Sequence, residues 1–355
     1  MTEAAPPDLR AGAPRPVSIR FVAAEGIGMR IVVAVILSLL SSAALVALSG
    51  HNPLVAFSAL ARGAAGSPHQ LGVALNRATP YLLAGTGVAF CFRAGIINIG
   101  AEGQIALGGL GAAAVALHWP QYASWAVAPA SLIGAAIFGA LWSAIATAIH
   151  LKRRVHEVLV TLLLNFVGAL IVQEALAGPL DQAGAGFLQS PIMPRDAWLW
   201  KLPGLDAHVG FILALAAAAA ALSVTLWLSP FGFAIRVAGR SRPAAAYAGF
   251  SIGRLTWAAM LLSGALAGLA GGVEILGIHH RLIEGFSLGF GFKAVTVALL
   301  GAVEPLAVSP AALFVGLLEA GSLSMQRQIG VPSALVVVIE GLTMLFILAA
   351  MVRRA

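Results

Sequence analysis

The chain has 355 residues, of which 60% are apolar and 10% charged, with a formal net charge of +7 and a mean hydropathy of +0.94. A soluble domain carries about 25% charged residues, so this composition excludes one and defines an all-α, polytopic integral membrane protein. No block of roughly 50 to 100 residues of ordinary polarity interrupts it, which leaves no room for an inserted soluble domain.

In chain order, residues 1–29 are rich in Pro and Arg and read as a disordered cytoplasmic tail with at most a short surface helix near its end. Residues 30–355 form the membrane domain. Ile31 to Ser49 is an apolar helix longer than the ~7 to 15 residues of a signal-peptide core, so it stays as an anchor. Leu54 to Ala65 is amphipathic but too short to span, which predicts an interfacial helix. Further spans are predicted at 71–92, with Pro80 near its middle, and at 104–117, 124–149 and 158–177. Residues 178–206, with four prolines and three aspartates, read as an external loop with a short interfacial segment around Trp198 and Trp200. Spans at 208–228, 255–276, 292–301, 311–325 and 334–351 complete about ten, several broken or re-entrant, with both termini on the cytoplasmic side. Cys91 lies inside an apolar run and reads as packing.

A pI near 10.5 invites a nucleic-acid reading, which the placement of the charges removes. Arg10, Arg15, Arg20, Arg30, Arg93, Lys152, Arg153, Arg154, Arg236, Arg240, Arg242, Arg254, Arg353 and Arg354 all fall at inner helix ends in this topology, fourteen of the twenty-one basic residues. That is the positive-inside bias of a multi-pass protein, with lipid as its partner and no nucleic acid.

Two stretches carry more than topology. Between Arg93 and Ala114, Asn98, Glu102 and Gln104 interrupt an apolar run among six glycines. Polar groups and broken backbone persist in a membrane only where protein or a water-filled cavity receives them. These three side chains therefore line a transport path, or they cap and pin a helix break, with Arg93 available to neutralise Glu102. Thr161 and Asn165 are four apart and share a helix face, which suits path lining or an interhelical hydrogen bond equally. The second stretch, 229–254, is basic and turn-rich. In it Ser241 can cap a two-turn helix that accepts Pro243 in its first turn and stops at Gly249. Two turns are unstable alone in water, so this helix leans on its own protein or on a partner; the plainer reading makes its arginines topology signals only.

RAGIINIGAEGQ at 93–104, EVLVTLLLN at 157–165, GFAIRVAGRSRPAAAYAG at 232–249, SGALAGLAG at 263–271 and GFGFKAVTVALLG at 289–301 together resemble the permease subunits of bacterial ABC importers for nucleosides, whose relatives serve ribose-type sugars and branched-chain amino acids. The resemblance implies a ten-helix permease of the bacterial cytoplasmic (inner) membrane. It also implies three partners: a second homologous permease, a cytoplasmic ATPase using ATP and Mg, and an extracytoplasmic substrate-binding lipoprotein or periplasmic protein. It assigns ATPase contact to Arg236, Gly239, Ala244, Ala245, Tyr247 and Gly249 in the 229–254 coupling loop. Lys293 and Glu340 depart from the family pattern, so solute preference is not carried over.

The chain has no G-x-x-x-x-G-K-[ST] phosphate loop, so the ATPase is another polypeptide and this chain is not an enzyme. There is no catalytic pair and no metal-ligand spacing; His279 and His280 are adjacent and point apart. Phe286, Phe290 and Phe292 can stack on a nucleobase, and equally on a sugar. The rival class is a proton-coupled secondary transporter, built on Glu274, Glu319 and Glu340 and on Gly-interrupted segments in both halves of the chain.

Overall fold

Start signals in the sequence set four of the helix boundaries. Asn52–Pro53, Ser67–Pro68, Ser229–Pro230 and Ser241 with Pro243 each place a capping side chain just before a proline, and all four side chains accept a backbone N–H of the first turn. The computed structural model describes residues 27–119, 121–216, 222–287 and 289–351; the expectations for residues 1–26 and for Arg353 and Arg354 lie outside them. Among the described residues the helices are α1 (Ile27–Leu48), α2 (Pro53–Ala65), α3 (Pro68–Arg93), α4 (Ala101–His118), α5 (Val127–Arg153), α6 (Glu157–Ala177) and α7 (Gly210–Leu213). They continue as α8 (Leu222–Leu228), α9 (Pro230–Arg240), α10 (Arg242–Tyr247), α11 (Ile252–Glu274), α12 (Phe290–Leu300), α13 (Val308–Ile329) and α14 (Ser333–Met351). Among the described residues, pairing between extended segments is confined to two isolated bridges, Gln189 with Ile283 and Lys201 with His208.

All ten expected segments contain helix, although among the described residues five helices are long and apolar enough to cross a membrane alone, or up to seven if each bent pair counts as one span. The difference has a physical cause. The inner half of α3 and nearly all of α4 are buried among other helices, so they never need to satisfy lipid and can carry Thr79, Glu102 and Gln104. α12, with 11 residues, crosses only about half a bilayer. α2 bends back from α1 by 118° and packs on α13, where Gly63 meets Ser324 and Gly321 meets Leu60. At 13 residues α2 is too short to cross a bilayer alone. Span ends moved by a few residues: the third begins at Ala101 rather than Gln104, and α13 extends to Ile329 beyond the expected 325, because polar side chains at those ends find protein partners.

α4, α5 and α11 form the centre. Gly108 stands against Gly268, and Gly139 against Gly264 and Gly268, so a methyl group at any of these would strike backbone. Small residues let helix backbones touch where lipid offers no hydrophobic drive to associate. The contacts Ser143–Met260 and Ala135–Gly268 show α5 and α11 running antiparallel, so Arg153 and Arg254 share one end of the bundle. Arg242 donates to the carbonyl of Gly95 there (2.9 Å), which makes this the basic end. At the opposite end the 178–209 segment is laced to the end of α11: Met193 N–H donates to His280 (2.9 Å), Leu199 N–H to Leu276 (3.1 Å) and Ser190 N–H to Leu282 (2.9 Å). Trp198 stacks on His280 at 3.8 Å, while Trp200 is exposed. α1 and α14 run antiparallel as an outer seam, joined by Ser38 and Thr343 at 2.7 Å.

Candidate functional site

α3 ends at Arg93, the chain turns through Ala94 and Gly95, and α4 starts at Ala101 with no side-chain cap on its own N-terminal residue Gly100. A helix start inside a membrane protein leaves backbone N–H groups that protein must satisfy. Asn98, with 0% exposure, accepts the Gly100 N–H at 2.9 Å and donates to Ser263 Oγ at 2.9 Å. It also exchanges hydrogen bonds with Gln104, at 3.2 Å and 3.3 Å. Asn165 reaches in from α6, accepting the Gly103 N–H (2.9 Å) and donating to the Ile99 carbonyl (2.9 Å). Thr161, one turn earlier, bonds to Glu157 in its own helix and places its Cβ beside Gly100.

Glu102 faces the other way, onto the second break. Its carboxylate accepts the N–H of Gly289 (3.1 Å) and of Gly291 (2.7 Å), the free donors at the start of α12. A residue of α4 therefore caps α12, and the negative charge sits at the positive end of that helix dipole. The two backbones touch: a Cβ on Gly291 would lie 2.1 Å from the Glu102 nitrogen. Asn98, Glu102, Gln104, Thr161 and Asn165 lie together at this break, and their polar atoms bond to each other and to backbone. Asn98, Gln104 and Asn165 pin the first break, and Glu102 ties it to the second. The expectation that Arg93 neutralises Glu102 is corrected: Arg93 donates to Glu304 (2.7 Å) and to the Val303 carbonyl (2.8 Å), while Glu102, beyond the turn between α3 and α4, holds the start of α12.

Phe290 is buried and meets Tyr81 edge to face at 5.6 Å; Phe292, two residues on, is 43% exposed. Next to them the intramembrane carboxylates separate into two groups. Glu319 and Glu340 share Lys293, at 3.6 Å and 3.1 Å, and the Tyr81 hydroxyl donates to Glu319 at 2.7 Å. Glu274 lies instead against His279, at 3.4 Å. Buried charges are tolerated when paired as Lys293 is with its two carboxylates, whereas neither buried oxygen of Glu274 has a hydrogen-bond partner among the described residues. His279 and His280 do point apart, one to Glu274 and the other to Trp198.

At the basic end Ser241 ends α9 and caps α10, its Oγ accepting the Ala244 N–H, and Gly249 stops the chain at φ +84°. Arg236 donates to the Leu226 carbonyl (2.6 Å) and lies over Trp227. Gly239 presses on the turn before α4, where a Cβ would sit 1.9 Å from the Arg93 oxygen. Ala244 and Tyr247 face outward, Tyr247 at 97% exposure, while Ala245 is fully buried in its own protein. Ala245 is therefore corrected as a contact residue: it anchors α10, and its neighbours present the free face. Sequence reasoning missed Ser263, Tyr81, Trp227 and Glu304; each acts across more than 70 residues of chain, and no local pattern marks it.

Crossing helices, two half-membrane breaks locked to each other, and a capped surface helix tied to one of them define a membrane permease. The chain belongs to the family described as branched-chain amino acid transport system / permease component, whose model matches residues 71–348. It is similar to the guanosine ABC transporter permease protein NupP of Bacillus subtilis, with 35% identity over 89% of this chain and 91% of that one. It is equally similar to the glucose ABC transporter permease protein TsgB13 of Haloferax volcanii, with 35% identity over 86% of this chain and 83% of that one. The nucleoside ABC transporter permease protein NupB of Lactococcus lactis shares 27% identity over 89% of each chain. No solved structure matches the chain.

Proposed function

We propose that this chain is the membrane permease subunit of an ABC importer for nucleosides in the bacterial cytoplasmic membrane. It forms the translocation path with a second homologous permease, is driven by a separate cytoplasmic ATPase that uses ATP and Mg, and receives solute from an extracytoplasmic binding protein. The observation that carries this reading is mechanical. Arg242 and Gly239 fasten the α9–α10 loop to the turn at Arg93–Gly95, and from that turn α4 leads through Glu102 to α12. A push on the loop from an ATPase reaches both breaks through close-packed backbone, which moves as discrete rigid pieces. Similarity to permeases named for guanosine and nucleosides supports the solute class.

A sugar is the second reading, and the likeness to a glucose permease favours it. The two separate in cells from which the gene is deleted, by uptake of labelled guanosine and labelled glucose. The nucleoside reading predicts that guanosine uptake falls more than ~10-fold with glucose uptake intact. Loss of glucose uptake alone establishes the sugar reading, and loss of neither removes both.

A further inference from the structure

Between α12 and α14 lies a cavity of about 320 Å³ whose wall combines Phe292, Lys293, Thr296 and Glu340 with apolar residues of α14. Its depth follows from the helices. Tyr81, which lies beside Lys293, is near the midpoint of the 26-residue α3, and Glu340 falls in the first half of the 19-residue α14, so the charges stand near mid-membrane. Ionisable groups at that depth are costly, and they mark a polar path or a ligand site when they face a cavity. Here Lys293 keeps donor capacity on its exposed side, and an aromatic face, Phe292, stands beside it with nearly half its surface uncovered. The volume falls at the lower end of the roughly 300–1,000 Å³ range of small-molecule sites. An aromatic wall with a donor and an acceptor set into it is the chemistry that receives a ring bearing hydroxyl groups.

We propose that this cavity is a solute subsite for a neutral, polyhydroxylated ring such as the ribose of a nucleoside. Glu340 accepts hydroxyl hydrogens, Lys293 donates, and Phe292 covers the ring face. The inference rests on the nucleoside reading for its ligand and adds a specificity. Lys293 is already paired with Glu340 in the wall and with Glu319 behind it. Its ammonium is thereby neutralised and a phosphate brought to the wall meets the Glu340 carboxylate, so the path accepts nucleosides and rejects nucleotides.

The test uses the importer purified intact through a tag on this chain. Cys91 is the single cysteine and is buried, so Thr296→Cys on a Cys91→Ala background gives one reactive thiol in the cavity wall. Its labelling by a water-soluble maleimide is followed with guanosine, guanosine monophosphate or glucose present. Guanosine slows labelling at least ~5-fold and the monophosphate leaves it unchanged; adding Glu340→Gln raises the concentration for half-protection more than ~10-fold. Complex recovery serves as the folding control, and Phe292→Leu, at an exposed position, replaces Glu340→Gln if the pair with Lys293 proves necessary for assembly. Equal protection by the monophosphate, or no protection in a complex that imports guanosine, overturns the subsite and leaves the transport function standing. Protection by glucose alone overturns the nucleoside reading and keeps the subsite for hydroxylated rings.

Discussion

Glu102 holds two backbone N–H groups of another helix, and hydrogen bonds to a charged group are worth about 1.5–3 kcal/mol each. Replacing it by Leu leaves the Gly289 and Gly291 donors buried and unpaired, so Glu102→Leu is predicted to destabilise the permease by about 3 kcal/mol or more. Glu102→Gln keeps an acceptor in place and recovers at least half of the loss. Thermal unfolding of the purified variants in detergent measures both. That Glu102 could cap and pin a helix break was legible from an acid in a glycine-rich turn; which backbone it holds was not, because its partners lie 187 and 189 residues away. A second residue gives a pH dependence. His208 is buried against Gly210 and Gly277 in the segment before α7, and burial pushes its imidazole down to about 4 from the usual 6.5. A depressed pKa means that the unfolded chain takes up the proton first. The stability is complete above pH 6.5 and is lost as pH falls towards 4, by up to about 3 kcal/mol. The melting temperature is expected to decline over that window, and His208→Gln to flatten the decline.

The element proposed to meet the ATPase is the α9–α10 pair. Its boundaries were legible because Ser241, Pro243 and Gly249 each impose a backbone state. Its orientation was not, since Ala244, Ala245 and Ala246 carry no polar contrast from which a buried face can be read. The structure turns Ala245 inward and Tyr247 outward, which separates two effects. Tyr247→Ala removes a large exposed aromatic from the free face; co-purification of the ATPase should fall ~10-fold while the permease melts normally. Ala245→Glu forces a charge into the permease itself, so it lowers the permease's own stability by several kcal/mol. If Tyr247→Ala leaves co-purification intact, the free face of α10 is not where the ATPase sits.

Over the whole molecule, the ten segments were legible from hydropathy, but their roles were not. α3 and α4 read as ordinary spans and are interior, whereas α5 and α6 expose Ile137, Leu141, Leu163 and Phe166 on their outer faces. The pairing of the two Gly-rich breaks required the fold, because each looks locally like a turn. The basic residues at 152–154 and 236–254 converge on one end as the arginine census anticipated, and the positive-inside rule makes that end cytoplasmic. Cysteines introduced at Arg153 and Arg242 should therefore resist an impermeant thiol reagent in intact cells and react in opened ones.

The central claim is that loop and breaks form one mechanical unit, and Arg93 is where it can be cut without touching either the solute or the ATPase. Its guanidinium ties the turn before α4 to the turn after α12 through Val303 and Glu304, and Trp227 donates to the same Glu304 carboxylate. The direct measurement is the ratio of solute imported to ATP hydrolysed by the intact importer in proteoliposomes, with and without Arg93→Ala. The account predicts that ATP hydrolysis persists within about two-fold while import per ATP falls at least ~10-fold. An unchanged ratio in the Arg93→Ala importer would contradict it.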